Sequence, residues 1–400
     1  MKKLLLLALV LVCCMLTACQ KADEPAAPTA TPVPTEAPAP TATPVPTATA
    51  APDPTEAPAP AATPVPTATA APDPTEAPAP AASAAPVDTR SWFVCGDYKY
   101  KLLEDGSAVI HVYTGTEAQV VVPAELDGHP VAVILSAFTR NTTLQSVVIP
   151  DSVVSVDQAA FLGCTSLRSV QLSSRCTLIG DHAFSGCTAL ESVNIPEGVT
   201  AIGIGAFFGT ALQSVVIPDS VTVIKNGAFQ NCTALTNVVI GDGVKTIEMW
   251  TFDGCTAIES LTMGSQVETI GEKAFSNCRS LTGLTLPKGL KKIGTKAFEY
   301  CTGLKTLTIP GNGAEVGYRA FANCSGLCEV TLEEGVTKLD SFVFEDCTAL
   351  ERVYLPVSLE TISGLAFDKC NPVLVIHKDS YADKWSFGHR PQLKREVVEE

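Results

Sequence analysis

A phenylalanine returns through most of this chain at a nearly constant interval: Phe138, Phe161, Phe184, Phe207, Phe229, Phe252, Phe275, Phe298, Phe321, Phe344 and Phe367. Successive members lie 23 residues apart, except for one step of 22 between Phe207 and Phe229. A fixed period of this size marks a solenoid, in which a small unit that cannot bury its apolar face alone is stacked on copies of itself. The same regularity says little about ligands, because a stacked scaffold carries its function in the variable positions of its exposed face.

Counted from each phenylalanine, Ala precedes it, Cys stands at +3, Leu at +6, Val or Leu at +9, and Ile or Leu at +11. Pro is frequent at +12, with Val near +15 and Ile near +18. One copy reads Ala228-Phe229, Cys232, Leu235, Val238, Ile240, Val244, Ile247. The +9 and +11 pair has period two, so both point to one side of a short strand while +8 and +10 point to the other. Proline or glycine at +12 ends the strand.

The fold class expected is therefore a repeat solenoid, mainly β, with a parallel sheet of about eleven 23-residue coils. Before the first coil, the alternating runs Tyr98 to Leu103 and Ala108 to Tyr113, joined through Asp105-Gly106, predict a β-hairpin cap. After the last, Ser380 is placed to cap a short closing helix, and Lys394 to Glu400 reads as a frayed tail. The missing residue in the 22-residue step falls at Phe208-Gly209-Thr210-Ala211-Leu212, where the ladder cysteine is absent, so a tightened turn and a local core defect are expected there.

The N-terminal part has a different composition, with 19 of the 29 prolines between Gln20 and Val87. Residues 1–19 have the form of a secretory signal: Lys2 and Lys3, the apolar run Leu4 to Val12, then Leu16-Thr17-Ala18-Cys19. This ending resembles the lipobox of bacterial lipoproteins, which implies that Cys19 is the acylated first residue of the mature chain and that its lipid holds the protein on the membrane. Residues 41–60 (TATPVPTATAAPDPTEAPAP) recur as 61–80 with one change, Thr41 against Ala61. Such a segment has too little apolar surface to order itself, and as polyproline II residues 20–87 would reach at most roughly 200 Å. The expected organisation is signal 1–19, tether 20–87, N-terminal cap 88–135, repeats 136–376, and C-terminal cap and tail 377–400.

The repeated string LxxVxIPxxVxxIGxxAF, as at Leu190 to Phe207, resembles the BspA-type class of leucine-rich repeats found in bacterial surface proteins. The likeness runs from about Val120 to Ile376. It departs from the common leucine-rich pattern at +14, where Ser152, Gly198, Ser220, Gly243 and Gly289 replace the usual Asn or Cys. The resemblance implies a cell-surface protein on the extracellular side of a bacterial membrane that adheres to host matrix proteins or to other cells. A glycan-capturing or envelope-structural role is the alternative.

Nothing in the sequence points to catalysis, a metal or a cofactor, and none is expected. Nine of the fifteen cysteines (Cys164, Cys187, Cys232, Cys255, Cys278, Cys301, Cys324, Cys347, Cys370) share the +3 rung. Rungs ~4.8 Å apart with parallel Cβ vectors do not suit a disulfide, which wants converging Cβ atoms ~3.8 Å apart, so buried free thiols are expected. Cys95, Cys176 and Cys328 lie off the ladder, and no zinc-like Cys or His spacing occurs. The net charge is -15; setting aside the seven acids and three bases that precede Asp88 leaves 35 acids against 24 bases. An acidic part without basic clusters argues against nucleic acid as a partner.

That leaves the outward face of the sheet, in a chain expected to act as a monomer. Column +10 holds Val216 and Val239, then the run Thr262, Thr285, Thr308, Thr331 ending at Tyr354, with Arg352 beside it. These last six are the candidate binding face for a protein ligand. Trp250, Tyr318 and Phe342 precede the repeat phenylalanine and belong to a different face.

Overall fold

The structure, a computed structural model, describes residues 90–399. The signal, Cys19, the whole of the tether and residues 88–89 lie outside those residues. The described part is a parallel β-solenoid whose single hydrophobic core runs from Tyr100 in the cap to Leu393 near the end.

The eleven phenylalanine rings form its spine. All are buried, and successive ring centroids lie 4.9 to 5.9 Å apart with planes within 16° of parallel. Each ring contributes about 1.5–3 kcal/mol of apolar burial, with more from stacking. Beside the rings, every rung cysteine donates its thiol hydrogen to the carbonyl of the phenylalanine one coil earlier, at 2.9 Å for Cys164 to Phe138 and 3.5 Å for Cys278 to Phe252. The twelve described cysteines are unbridged, and the nine on the rung are buried.

Each coil except that of Phe367 closes through two residues with left-handed backbone, two before and two after the phenylalanine. His182, Trp250 and Phe342 stand at the first position; Asn231, Asn277 and Asn323 stand at the second. Asparagine tolerates this conformation, which is why it so often precedes the ladder cysteine.

Two strand ladders line the coil. The one expected at +8 to +11 is present but is not one sheet. It forms a four-stranded sheet from Gln119–Val121 to Ser192–Val193, a three-stranded sheet of Ser214–Ile217, Asn237–Ile240 and Ser260–Thr262, and a five-stranded sheet from Thr306–Ile309 to Arg395–Val398. The first break coincides with the 22-residue coil. The second falls at 281–286, where Gly283 occupies the +8 position that carries Ser, Asn, Thr, Glu or Arg in neighbouring coils; glycine gives up the most backbone entropy and offers no side chain to pack. The second ladder, of two-residue strands such as Thr246–Ile247 and Thr269–Ile270, was not anticipated. With one inward residue per strand, two residues are too few to display an alternation.

The 22-residue coil contains no core defect. Thr210 takes the cysteine's place on the rung, only 3 % exposed; its hydroxyl donates to Phe207 O at 3.0 Å and meets Cys232 Sγ at 3.2 Å. The ring stack crosses the site at 5.1 Å. The residue lost comes from the turn after the rung, so the turn is shortened and the core is kept.

The caps continue the same physics. Tyr98–Leu102 and Ala108–Tyr113 form the expected hairpin, joined on its outer side by Phe93–Cys95, and Ala108–Tyr113 pairs in parallel with His129–Ile134 to start the second ladder. Tyr113 packs at a tilt of 36° against Phe138, with ring centroids 4.8 Å apart, which extends the aromatic column into the cap. At the other end Ser380 caps the helix Tyr381–His389 by accepting from Asp383 N, and Trp385 meets Phe367 edge-on. The tail is not frayed. Arg395–Val398 returns as a strand parallel to Val373–His377, making a strand-helix-strand closure. Arg395 is held there by its guanidinium 3.5 Å from the Phe387 ring.

Candidate interaction face

The five-stranded sheet brings part of the expected face together. Its register places Thr308 beside Thr331 and Thr331 beside Tyr354, so three of the +10 residues form one outward column. Thr308 is exposed, whereas Thr331, Arg352 and Tyr354 are half-buried. Arg352 lies across the Tyr354 ring, 5.8 Å from its centroid, and pairs with Glu396 two strands away. The pairing with Glu396 holds the guanidinium over the ring.

Thr262 and Thr285 do not join this column. Thr262 belongs to the three-stranded sheet, in register with Val239 and Val216, and Thr285 is exposed on the coil that has no strand. The run of four threonines is thus split by the break at Gly283.

What the sequence reading missed is the continuation past Tyr354. Register carries the column on to Val375 and then Glu396, and places His377 beside Val398. Tyr354, Val375, His377 and Val398 line a cavity of about 280 Å³ with Pro356 and Glu334. The alternation Val373, Val375, His377 was the available signal for two of these residues. Val398 lay in a segment read as frayed.

Away from this face, charged groups bridge neighbouring coils. Glu299 and Glu345, each nearly buried, are joined through Arg319 at 3.0 Å from Glu299 and in contact with Glu345, and Lys369 reaches Glu345 at 2.9 Å. Carboxylates so desolvated need compensating cations, and here the cations come from neighbouring coils, which staples those coils together. Trp250 and Tyr318 are partly exposed on the edge bearing the phenylalanine turns, with Phe342 edge-on to Tyr318 at 5.8 Å. His111 packs edge-on to Trp92, and burial lowers its pKa; His129 meets Gly106 O at 2.9 Å. Among the described residues, no group of three His, Cys, Asp or Glu could hold a metal ion, and no helix is long and apolar enough to cross a membrane.

A coil-by-coil parallel ladder with a flat outward face and a packed aromatic spine defines a leucine-rich-repeat solenoid. The profile of the BspA type leucine rich repeat region matches in six copies at residues 133–259, 200–328 and 246–374, which together cover more than half of the chain, and the chain belongs to that family. A leucine-rich repeat protein from Bacteroides ovatus shares the fold at 22% identity and a TM-score of 0.54, over 76% of this chain and 99% of that one. Two further similar structures are a leucine-rich repeat protein of T. pallidum and a leucine rich cell surface protein of Faecalibacterium prausnitzii. The first is 32% identical over 48% of this chain and 91% of its own, TM-score 0.44. The second is 25% identical over 74% and 97%, TM-score 0.32. No curated protein matches. Leucine-rich repeat proteins generally act by binding other proteins, and solenoids of this family are typically non-enzymatic.

Proposed function

We propose that this chain is a lipid-anchored bacterial surface protein whose solenoid, as a monomer, adheres to a protein on host matrix or on another cell. The observation that carries the reading is the in-register column Thr308, Thr331 and Tyr354 on the outward side of the last sheet, next to a cavity that can accept a side chain. Short hydroxyl side chains leave the sheet flat, and one oriented aromatic supplies the kind of anchor on which protein interfaces depend. The full chain, presented to immobilised matrix proteins and to whole cells, is expected to bind at least one of them. Thr308→Glu and Tyr354→Glu should each weaken that binding about tenfold or more. Binding no stronger than that of an unrelated solenoid would sink the proposal.

Anchoring rests on Leu16-Thr17-Ala18-Cys19. In cells fed a labelled fatty acid, the native chain is expected to take up label and fractionate with membranes. Cys19→Ala should lose the label and appear in the medium or the soluble fraction. Retention of label by Cys19→Ala would remove the lipid anchor from the account.

A further inference from the structure

The cavity beside Tyr354 continues into a longer trough. A second concavity, of about 490 Å³, is lined by Lys288, Pro310, Gly311, Asn312, Glu333 and Glu334, and the two share Glu334. Together they follow the edge of the five-stranded sheet, where the chain leaves each strand. Two backbones meet at the wall of the trough without side chains between them. A Cβ on Gly335 would fall 1.4 Å from Gly311 O, and one on Gly311 would fall 1.6 Å from Glu334 O, so neither position accepts anything but glycine. Glu334 is fixed in place: its carboxylate accepts Val357 N at 2.8 Å and Ser358 N at 3.1 Å. The exposed Glu333 stands next to it.

The two ends differ in chemistry. At Tyr354, Pro356, Val375 and Val398 the wall is mainly apolar, with His377 among them, and its volume of about 280 Å³ falls just below the ~300–1,000 Å³ of small-molecule pockets, so it suits one bulky side chain better than a whole metabolite. At Glu333 and Glu334 the wall presents two adjacent carboxylates, which outnumber the one cation, Lys288, lining the same concavity and so complement a further cation. The carboxylates belong to the coil before that of Tyr354, with Val375 one coil further on. At ~4.8 Å per coil the two ends are thus separated by roughly 5–10 Å along the stack. Residues two apart in an extended chain are ~6.6 Å apart and face the same way.

Building on the adhesive reading above, we propose that this trough recognises an extended segment of a protein partner in which a bulky apolar or aromatic residue stands two positions from a lysine or arginine. The apolar side chain enters between Tyr354, Val375 and Val398, and the basic one meets Glu333 and Glu334. The threonine column alongside contacts the rest of the partner.

A library of random peptides displayed on phage and panned against the full chain tests this directly, with thermal melts confirming that each variant is folded. The expected result is enrichment of peptides carrying the apolar and basic residues two apart. Their affinity should fall at least tenfold for Glu333→Lys and for Val398→Asp, and only slightly for Glu333→Gln. No enrichment, enriched peptides lacking the pair, or peptides that bind both charge variants unchanged would overturn the trough. If whole partners bind the two trough variants normally but fail on Thr308→Glu, the trough falls and the sheet-face reading stands. If none of the three variants changes partner binding, both readings fall.

Discussion

Replacing Phe298 by alanine is expected to lower the stability of the chain by about 3–5 kcal/mol, the range for removing a large aromatic from a core that cannot collapse around the gap. Phe298 is fully buried between Phe275 at 5.2 Å and Phe321 at 5.1 Å, so the substitution removes two stacking partners and opens a void in the column. In a stacked array the interfaces between neighbours carry the cooperativity, and an interior loss therefore weakens the units on both sides. Urea unfolding followed by circular dichroism measures the effect as a lower midpoint, and a broader or two-step transition would report that the array has been divided. A cost under about 1 kcal/mol would mean that the phenylalanines are not the spine.

The second large effect is a loss of stability at alkaline pH. Burial raises the thiol pKa of Cys278, Cys301 and Cys324, and that of Cys370 to about 12. In the unfolded chain a thiol ionises near its ordinary ~8.5. Above that pH the unfolded state binds fewer protons than the folded state, so stability is complete below about pH 8.5 and falls as pH rises toward the folded-state value. Each such thiol costs on the order of 1 kcal/mol per pH unit above the ordinary value while it stays neutral in the folded chain, so the four act together to steepen the loss. Tyr98 and Tyr100, pushed up to about 12 chiefly by burial, act in the same sense, but their unfolded-state titration begins near ~10 and leaves the window below it to the thiols. Urea midpoints between pH 8 and 10 should fall steeply. The double variant Cys278→Ala, Cys301→Ala should show about half the slope from these four thiols, and an unchanged slope would contradict buried neutral thiols.

The sequence displayed most strongly what recurs once per coil with a single tolerated residue type. Phe at the spine and Cys on the rung were legible because each recurs at a fixed place, the ring in every coil and the thiol in all but the coils of Asn141 and Thr210. The hairpin at Asp105-Gly106 and the Ser380 cap were legible because their local chemistry specifies them. The second ladder was not, since a strand of two residues has no period. The break at 281–286 depended on one glycine at an outward position, where variation looks harmless. Thr210 was read as a gap because it is not a cysteine, although its hydroxyl reaches the same phenylalanine carbonyl that its own backbone N–H bonds. Arg395–Val398 was hidden by its charges. Lys394, Arg395 and Glu396 suggest a solvated end, yet Arg395 lies on the Phe387 ring and Glu396 pairs with Arg352. The candidate face was affected in the same way: its threonines could be counted from the sequence, but the sheet that groups three residues and separates Thr262 and Thr285 could not.

The central claim is that the outward side of the last sheet carries adhesion, and a comparison of faces tests it most directly. Thr308→Glu with Thr331→Glu places two charges on that side, and Thr246→Glu with Thr269→Glu places the same two charges on neighbouring strands of the second ladder. Binding of the two double variants to a partner captured by the native chain, with equal melting temperatures confirmed, should fall at least tenfold for the first pair and stay within about twofold of native for the second. Equal losses from both pairs, or a loss from the second pair alone, would contradict the account.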